Sequence, residues 1–295
     1  MGLLVLLRPL AGGFSLAYAP AAPDPALVSP GGWEALEGLS RALAAALPRR
    51  VLFIRWDLPW EVSREEQDRR PRGPVFFRAP VDIQPPSTVM LDLSGEEEAI
   101  LGGMKKRGRA NIRVSEKRGV EIRRGGPEDI TLWYRLYQET ARRDRIAIHG
   151  EEYYRRLLSL PAAPGGPEIR LYLARVEGCD VGGIITSFTR RRGVYLYGAS
   201  SSSFRSAMPA YGLQWQAIKD ARRWGCAGYD LYGIPPAPDP EHPMAGLYLF
   251  KTGFGGRILH RPGSYDYPLR PGLYRLDRLA EALRGWYFKK FKKRR

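Results

Sequence analysis

Cysteine and histidine are scarce in this sequence of 295 residues, which contains two cysteines and three histidines. Neither Cys179 nor Cys226 lies in a C-x-x-C motif, and the histidines form no cluster at the spacing of metal ligands. These absences argue against a disulfide scaffold and a structural zinc site, and we expect the reducing conditions of the cytoplasm. No stretch approaches the roughly 18 consecutive apolar residues that a membrane-spanning helix needs.

Motifs that bind nucleotide cofactors are also missing. The sequence contains neither G-x-G-x-x-G nor G-x-x-x-x-G-K-[ST]. In the stretch from the predicted strand at 193–200 to the predicted helix at 206–224, it also lacks the R/Q-x-x-G-x-G/A turn with which acetyltransferases of the GNAT type hold the pyrophosphate of acetyl-CoA. We therefore expect no nucleotide cofactor, no acetyl-CoA and no metal.

Positive charge, in contrast, is abundant: 47 lysines and arginines face 31 aspartates and glutamates, for a net charge of +16. This imbalance predicts a polyanionic partner, namely nucleic acid, an anionic membrane surface or a phosphorylated substrate. Five cations fall within residues 104–113. In this run we predict phosphate contacts from Lys105, Arg109, Asn111 and Arg113. A solvated helix face explains the same charges without a ligand, and both interpretations stay open.

Short apolar runs alternate with longer amphipathic stretches. The runs predict strands, and the stretches with apolar residues at helical spacing predict helices. Predicted strands are 3–7, 14–18, 51–57, 88–93, 120–124, 169–176, 181–189, 193–200 and 229–233. Predicted helices are 33–47, 130–144, 151–160, 206–224 and a tail that begins at Pro271; Ser94 is a predicted N-cap. Antiparallel runs of strands with long helices between them indicate an α+β (mixed α/β) fold.

Two internal segments carry chemistry of their own. Residues 195–209 lead from a strand through four serines into a helix, so the loop either presents backbone N–H groups to an anion or is an ordinary connection. Lys251 lies between Phe250 and Phe254, where it either stabilises an oxyanion or packs its stem on the aromatic rings. Asp57 ends a predicted strand as a candidate general base, although such an aspartate more often caps a loop.

The C-terminal residues 286–295 interleave aromatic side chains with six cations. This composition suits the headgroup layer of an anionic membrane or an RNA, and it equally suits a disordered, solubilising tail.

Six blocks, in order along the chain, resemble the Fem family (FemA, FemB, FemX) of peptidoglycan-bridge aminoacyltransferases, and together they run from about residue 50 to 268. They are Phe53-Ile54-Arg55-Trp56-Asp57; Leu91-Asp92-Leu93-Ser94 with Met104-Lys105; Arg109-x-Asn111-Ile112; Tyr197-Gly198-Ala199-Ser200-Ser201 with Arg205; Tyr229-Asp230 with Gly233-Ile234; and Phe250-Lys251-x-Gly253-Phe254-Gly255-Gly256. The resemblance is strongest to the compact FemX type.

The resemblance implies two tandem GNAT-like domains without a coiled-coil arm. We place them at 1–125, shortened at its start, and 126–270, followed by a basic amphipathic tail at 271–295. It also implies a cytoplasmic enzyme, in peripheral contact with the inner face of the membrane. That enzyme moves glycine, alanine or serine from an aminoacyl-tRNA to the side-chain amine of the third stem-peptide residue of a muropeptide. The muropeptide acceptor is lipid-linked or UDP-linked.

The resemblance also assigns site residues. Lys251, placed by Phe250, stabilises the tetrahedral oxyanion, and the amine proton goes to the substrate, to water or to Asp57. Tyr153 and Tyr197 match positions that bind the phosphate-bearing end of the acceptor, and Arg205 is assigned to the same pocket. His149 stands where the family has an arginine.

Two other functions fit the residues. The protein is either a non-catalytic RNA- or membrane-binding module on a GNAT-like scaffold, or an aminoacyltransferase that modifies a lipid or a protein N-terminus. Phe250-Lys251 argues against the first of these.

Overall fold

The computed structural model describes residues 2–28, 32–67, 75–161 and 165–291, and the chain divides into two compact units. Met1–Pro86 and His260–Arg295 form the first unit, and Ser87–Leu259 forms the second. The strands are β1 Leu6–Pro9, β2 Ser15–Ala19, β3 Val51–Leu58, β4 Phe77–Arg78, β5 Ser87–Asp92, β6 Glu121–Gly125, β7 Glu168–Val176, β8 Cys179–Phe188, β9 Arg192–Ser200, β10 Gly228–Gly233, β11 Arg257–His260 and β12 Gly263–Pro268. The helices are α1 Pro25–Val28, α2 Trp33–Ala46, α3 Arg64–Gln67, α4 Glu97–Gly102, α5 Lys106–Lys117, α6 Ile130–Asp144, α7 Glu151–Leu158, α8 Pro209–Trp224, α9 Ala245–Gly253 and α10 Pro271–Phe291.

The first unit is built on a five-stranded sheet in the order β1-β2-β3-β12-β4. Every residue of β3 is buried, because helices cover both faces of this strand. On one face Trp56 packs over α2, where its indole N–H donates to the Ser40 hydroxyl at 3.1 Å. On the other face Phe53 meets the ring of Tyr274 from α10, with 5.1 Å between the ring centroids.

The second unit contains a seven-stranded sheet in the order β11-β5-β10-β9-β8-β7-β6. Its larger apolar core lies on the face covered by α5 and α8, and a second core lies under α6 and α7. The strands β9 and β10 are parallel, and their register runs from Gly228 opposite Arg192 to Asp230 opposite Val194. The pairing thus covers the first three residues of each strand, and the carboxyl-terminal halves of β9 and β10 continue without a shared register.

The predicted α+β fold and most predicted elements are confirmed. The Ser94 cap is wrong: α4 begins at Glu97, and the Ser94 N–H instead donates to the Asp92 carboxylate at 2.9 Å in a local turn. The helix predicted from residue 206 begins at Pro209, because Met208 adopts a left-handed backbone with φ of 56°. The compact units do not follow the limits at residues 125 and 270, since β6 pairs with β7 inside the second unit. A division into domains at those limits stays a prediction.

Candidate active site

Lys251 is held at the point where β9 and β10 separate. Only 5% of this residue is exposed. Its ammonium group donates to the carbonyl oxygens of Tyr232, at 3.2 Å, and Gly233, at 2.9 Å, at the end of β10. It also lies 5.3 Å from the ring centroid of Tyr195 on β9. The side chain from α9 therefore reaches both diverging strands.

Burial lowers the pKa of Lys251 from its ordinary value near 10.5 to about 7, and the nearby Asp230 carboxylate offsets part of this effect. Near neutral pH the group therefore exchanges readily between its charged and neutral forms. A protonated lysine has three N–H donors, so the two carbonyls leave one for a ligand. A desolvated positive charge of this kind is suited to stabilise a negative charge that develops nearby.

The glycines that follow Lys251 are required by packing. Gly255 has a φ of +76°, and a Cβ atom there would collide with the carbonyl oxygen of Gly103. Gly256 has the same φ, and its Cβ would collide with the Met90 carbonyl. Phe250 contributes to the same region, because its ring packs edge-on against Tyr211 at 5.0 Å. Gly255 and Gly256 thus allow the chain that follows α9 to pack closely against β5 and against the junction between α4 and α5.

The basic run from Lys105 to Arg113 divides into a structural part and an exposed part. The Arg109 guanidinium donates to the carbonyl of Gly102 at 3.0 Å and to that of Met104, so it closes the end of α4. Lys105 and Arg113 have exposed side chains, and Asn111 is half-buried. The backbone N–H of Lys105 donates to the carbonyl of Gly253 at 3.1 Å, which ties the start of α5 to the end of α9.

Three of the four predicted acceptor residues meet in one aromatic cluster. The hydroxyls of Tyr153 and Tyr197 are 3.2 Å apart, and the His149 ring stacks on Tyr153 with 4.2 Å between centroids. The backbone of His149 is held on both sides, since its carbonyl accepts from the Tyr134 hydroxyl and its N–H donates to the Tyr154 oxygen. Burial, with the neighbouring Tyr153 hydroxyl, raises the pKa of Tyr197.

A β-bulge decides which face of the sheet each tyrosine of β9 occupies. Tyr195 lies opposite Thr186 and Tyr197 opposite Ile185, so Leu196 is an extra residue in β9. Tyr195 consequently packs into the core under α8, whereas Tyr197 packs into the core under α6 and α7. Lys251 and the aromatic cluster therefore lie on opposite faces of the same strand.

Arg205 lies apart from that cluster in the described contacts. It is exposed and begins a 3-10 turn, Arg205–Ala207, between two left-handed residues, Phe204 and Met208. No hydrogen bond or ion pair of its side chain occurs within the residues that the structure describes.

The serine loop before Arg205 does not offer its amides to an anion. Each backbone N–H from Ser200 to Ser203 already has an internal acceptor. These acceptors are the Thr140 hydroxyl, the Val181 carbonyl, the Glu139 carboxylate and the Ser201 hydroxyl, respectively. The Ser202 amide donates to Glu139 at 2.6 Å, and this bond lowers the pKa of Glu139. The loop is therefore an ordinary connection that α6 holds in place.

Asp57 belongs to the first unit, whereas the other candidate residues belong to the second. Only 3% of Asp57 is exposed. One carboxylate oxygen accepts from the Tyr18 hydroxyl and the other from the Ser264 hydroxyl. Burial raises the pKa of Asp57, and the two hydroxyls oppose this shift.

Sequence reasoning missed the groups that hold Lys251. Tyr195 stands next to the quoted Tyr197 block, but its orientation depends on the bulge. The carbonyls of Tyr232 and Gly233 are backbone groups, so no side-chain pattern in the sequence indicates them. The hydrogen bond from the Ser202 N–H to the Glu139 carboxylate joins residues 63 positions apart in the sequence.

Among residues 2–28, 32–67, 75–161 and 165–291, no group of three potential ligands forms a metal site. Within those same ranges no helix has the length and hydropathy to span a membrane.

Comparisons with known proteins agree on one family. The sequence model of the FemAB family matches residues 76–161 and 175–282. A lipid II:glycine glycyltransferase of Staphylococcus epidermidis is 22% identical over 253 residues, which cover 66% of this chain and 61% of that protein. Its namesake in Staphylococcus aureus (strain USA300) is 23% identical over 258 residues, with the same coverage. The chain thus spans about three fifths of the length of these relatives.

Solved structures show the fold. The crystal structure of FemX matches with a TM-score of 0.77 at 20% identity, and the match covers 92% of this chain and 85% of FemX. The structure of L-PGS from Bacillus licheniformis matches with a TM-score of 0.52 at 13% identity, over 94% of this chain and 85% of that one. The expected tandem GNAT-like fold is confirmed.

Proposed function

The chain belongs to the FemAB family, and from this membership we propose that it is an aminoacyltransferase of peptidoglycan synthesis. It adds an amino acid to the side-chain amine of the third stem-peptide residue of a lipid-linked or UDP-linked muropeptide. The donor is an aminoacyl-tRNA. Of glycine, alanine and serine, we favour glycine, because the relatives compared above are named glycyltransferases.

The proposed reaction needs no covalent enzyme intermediate, because the donor ester is already activated. The neutral acceptor amine attacks the ester carbonyl carbon, and a tetrahedral intermediate with an oxyanion forms. When the intermediate collapses, the C–N bond is complete, the C–O bond to the tRNA ribose breaks, and the ribose oxygen takes a proton. The amine proton leaves to the substrate itself or to water, and the role of Asp57 as a general base stays a prediction.

The observation that supports this proposal is the placement of Lys251 between the diverging ends of β9 and β10. Its ammonium is desolvated, is fixed by two backbone carbonyls and keeps one donor for a ligand. Burial lowers its pKa only to about 7, so a substantial fraction of the group stays protonated at neutral pH. We assign it to the oxyanion of the tetrahedral intermediate. Phe250 is a positioning residue, since it packs on Tyr211 beside it.

Other residues receive binding roles. Tyr153, Tyr197 and His149 form a paired-hydroxyl and imidazole surface suited to the phosphate-bearing end of the acceptor, and Arg205 is assigned to the same substrate. Exposed cations of the basic run, Lys105 and Arg113, are assigned to the tRNA backbone. Arg109 and Asn111 support that surface, Arg109 by closing α4.

A transfer assay tests the proposal. The purified protein is incubated with a panel of radiolabelled aminoacyl-tRNAs and a UDP-linked or lipid-linked muropeptide, and the product is analysed by mass spectrometry. We expect a mass gain of one aminoacyl unit. Lys251→Met should lower turnover about 10²- to 10³-fold, the size of one oxyanion contact.

Lys219→Met is the matched control, because Lys219 also lies over an aromatic ring, that of Trp215, at 5.8 Å. It should leave turnover unchanged. If no aminoacyl-tRNA and no acceptor gives a product while RNA still binds tightly, the protein is the non-catalytic module. Transfer that is equal in Lys251→Met and Lys219→Met would remove Lys251 from the mechanism.

A further inference from the structure

Tyr232 has an unusual backbone conformation near the end of β10. Its φ is 61°, in the left-handed region that a residue with a bulky side chain rarely adopts. The register of β10 with β5 is also broken between Asp230 and Gly233. A conformation of this kind persists only where the surrounding structure holds it. The groups that hold Tyr232 therefore bear on the function of the site beside it.

The carboxylate of Asp230 holds Tyr232 in this conformation. One carboxylate oxygen accepts from the Tyr232 backbone N–H at 2.8 Å and also from the Thr88 hydroxyl of β5. The other oxygen lies 3.5 Å from the Arg192 guanidinium of β9. Only 3% of Asp230 is exposed. Groups from three neighbouring strands thus fix this buried carboxylate.

The break in β10 brings two successive carbonyls to one ammonium group. In a regular strand successive carbonyls point to opposite sides, so a single group does not reach both. Here the carbonyls of Tyr232 and Gly233 both accept from the Lys251 ammonium, at 3.2 and 2.9 Å. The residue that fixes the backbone of Tyr232 therefore also fixes the position of Lys251.

Asp230 also acts on the charge of Lys251. Its carboxylate favours the protonated ammonium and so opposes the effect of burial on the pKa of Lys251. A second titratable group, Tyr195 from β9, contacts the ammonium, but burial raises its pKa to about 12 and the ring stays neutral. The helix α5 also packs against α9, and its cations Lys106 and Arg107 are exposed, where solvent screens them.

We propose that Asp230 is a positioning residue for Lys251: it fixes Tyr232 so that two carbonyls hold the ammonium, and its negative charge keeps that ammonium protonated. The effect on turnover rests on the proposed function, in which Lys251 stabilises the oxyanion. The effect on Lys251 itself needs no substrate, so it is measured independently of the reaction.

Two substitutions separate the geometric effect from the electrostatic one. Asp230→Asn keeps an oxygen that accepts from the Tyr232 N–H but removes the negative charge, whereas Asp230→Ala removes both. Asp220→Asn is the matched control, because Asp220 also accepts from a hydroxyl, that of Tyr172, at 3.0 Å, and lies 3.7 Å from Arg223. The control should behave like the wild type in every measurement.

NMR of the folded protein tests both effects without a substrate. With isotopically labelled lysines, the signal of Lys251 is identified by its absence from Lys251→Met. We expect it to titrate at about pH 7 in the wild type and at lower pH in Asp230→Asn. Hydrogen exchange of the Tyr232 amide should be faster in Asp230→Ala than in Asp230→Asn, because only the alanine variant lacks the acceptor. Equal midpoints in the two asparagine variants, or equal exchange in the two Asp230 variants, would overturn the proposal.

The pH profile of transfer to a UDP-linked muropeptide tests the link to turnover. The acceptor amine must be neutral and has an ordinary pKa of about 10.4, so kcat/KM should rise with pH and level off once Lys251 loses its proton. Asp230→Asn should match the wild type on the acidic side. It should level off earlier, about tenfold lower for each pH unit by which the Lys251 titration moves. Asp230→Ala should be slower at every pH, by roughly tenfold to a hundredfold, because the ammonium is displaced.

The two kinds of measurement distinguish this proposal from the proposed reaction. If the wild type transfers no aminoacyl group while the NMR results are as expected, the reaction is wrong and the action of Asp230 on Lys251 stands. If the wild type is active and Asp230→Ala keeps its full rate on the acidic side, Asp230 does not position Lys251 for the reaction.

Discussion

The ammonium group of Lys251 lies over the ring of Tyr195, 5.3 Å from its centroid, and this contact joins α9 to β9. The Tyr195 hydroxyl is withdrawn from water, which raises its pKa to about 12, so the ring is neutral at physiological pH. A neutral electron-rich face attracts a cation without neutralising it. The lysine is thus held in place by an aromatic face and two carbonyls, while the Asp230 carboxylate acts on it electrostatically.

The pH dependence of stability should reveal the buried state of Lys251. Between pH 7 and pH 10.5 the unfolded lysine stays protonated while the folded one loses its proton. The unfolded state then binds more protons, so the wild type gains stability relative to Lys251→Met as pH rises through this window. The slope is at most about 1.4 kcal/mol per pH unit, and below the folded pKa the difference levels off. Urea unfolding of the wild type and of Lys251→Met at a series of pH values measures this difference in stability. If the stability of both proteins depends on pH in the same way, the lowered pKa of Lys251 is contradicted.

Removal of either hydroxyl of the Tyr153–Tyr197 pair should weaken acceptor binding. We expect Tyr153→Phe and Tyr197→Phe each to raise the acceptor KM about three- to tenfold with little change in kcat, because each loses one hydrogen bond. The increase in KM for the double variant should be smaller than the product of the two single increases, since the hydroxyls contact each other. Tyr172→Phe, whose hydroxyl donates to Asp220 on the other face of the sheet, is the control. An unchanged KM in all variants would place the acceptor elsewhere.

Two glycines on either side of Lys251 should respond oppositely to alanine. Gly255→Ala introduces a Cβ at a φ of +76° and against the Gly103 carbonyl, so we expect a loss of at least about 2 kcal/mol in unfolding free energy. Gly246→Ala lies in α9 with no atom within 4 Å of its new Cβ, and should gain roughly 0.5–1 kcal/mol. Chemical denaturation measures both. Similar stability of the two variants would mean that the backbone after α9 shifts to accommodate the new Cβ atom at little cost in free energy.

The buried ion pair between Arg55 and Asp266 in the first unit should contribute far more to stability than an exposed ion pair. Asp266→Asn leaves the Arg55 guanidinium, 7% exposed, without its charge partner, and we expect a loss of roughly 3–5 kcal/mol. Glu152→Gln breaks the pair with Arg156, whose side chains are 63% and 79% exposed, and should change stability by less than about 0.5 kcal/mol. Thermal melts of both variants test the contrast, and a small effect of Asp266→Asn would show that Arg55 finds water or another acceptor.

Much of the second unit could be predicted because its signals are local. Alternating and continuous apolar runs placed β7, β8 and β9 within a few residues, and the helical spacing of apolar residues placed α6 and α8. The boundaries that failed depend on single backbone conformations, such as the left-handed Met208 before α8. The sequence left two alternatives open for the serine loop, an anion site or an ordinary connection, because the acceptors Glu139 and Thr140 come from a helix about 60 positions earlier.

By itself the sequence determined the kind of elements, the basic character of the protein and the identity of Lys251 as the candidate charge at the site. These properties follow from side-chain type and from periodicity along the chain. Tertiary structure alone decided three other things: which strands Lys251 joins, that a bulge at Leu196 turns Tyr195 and Tyr197 to opposite faces, and that Asp230 binds the Tyr232 N–H beside the two carbonyls that hold Lys251. Periodicity defines the faces of an element, but only the partners that pack against it decide which face is turned inward.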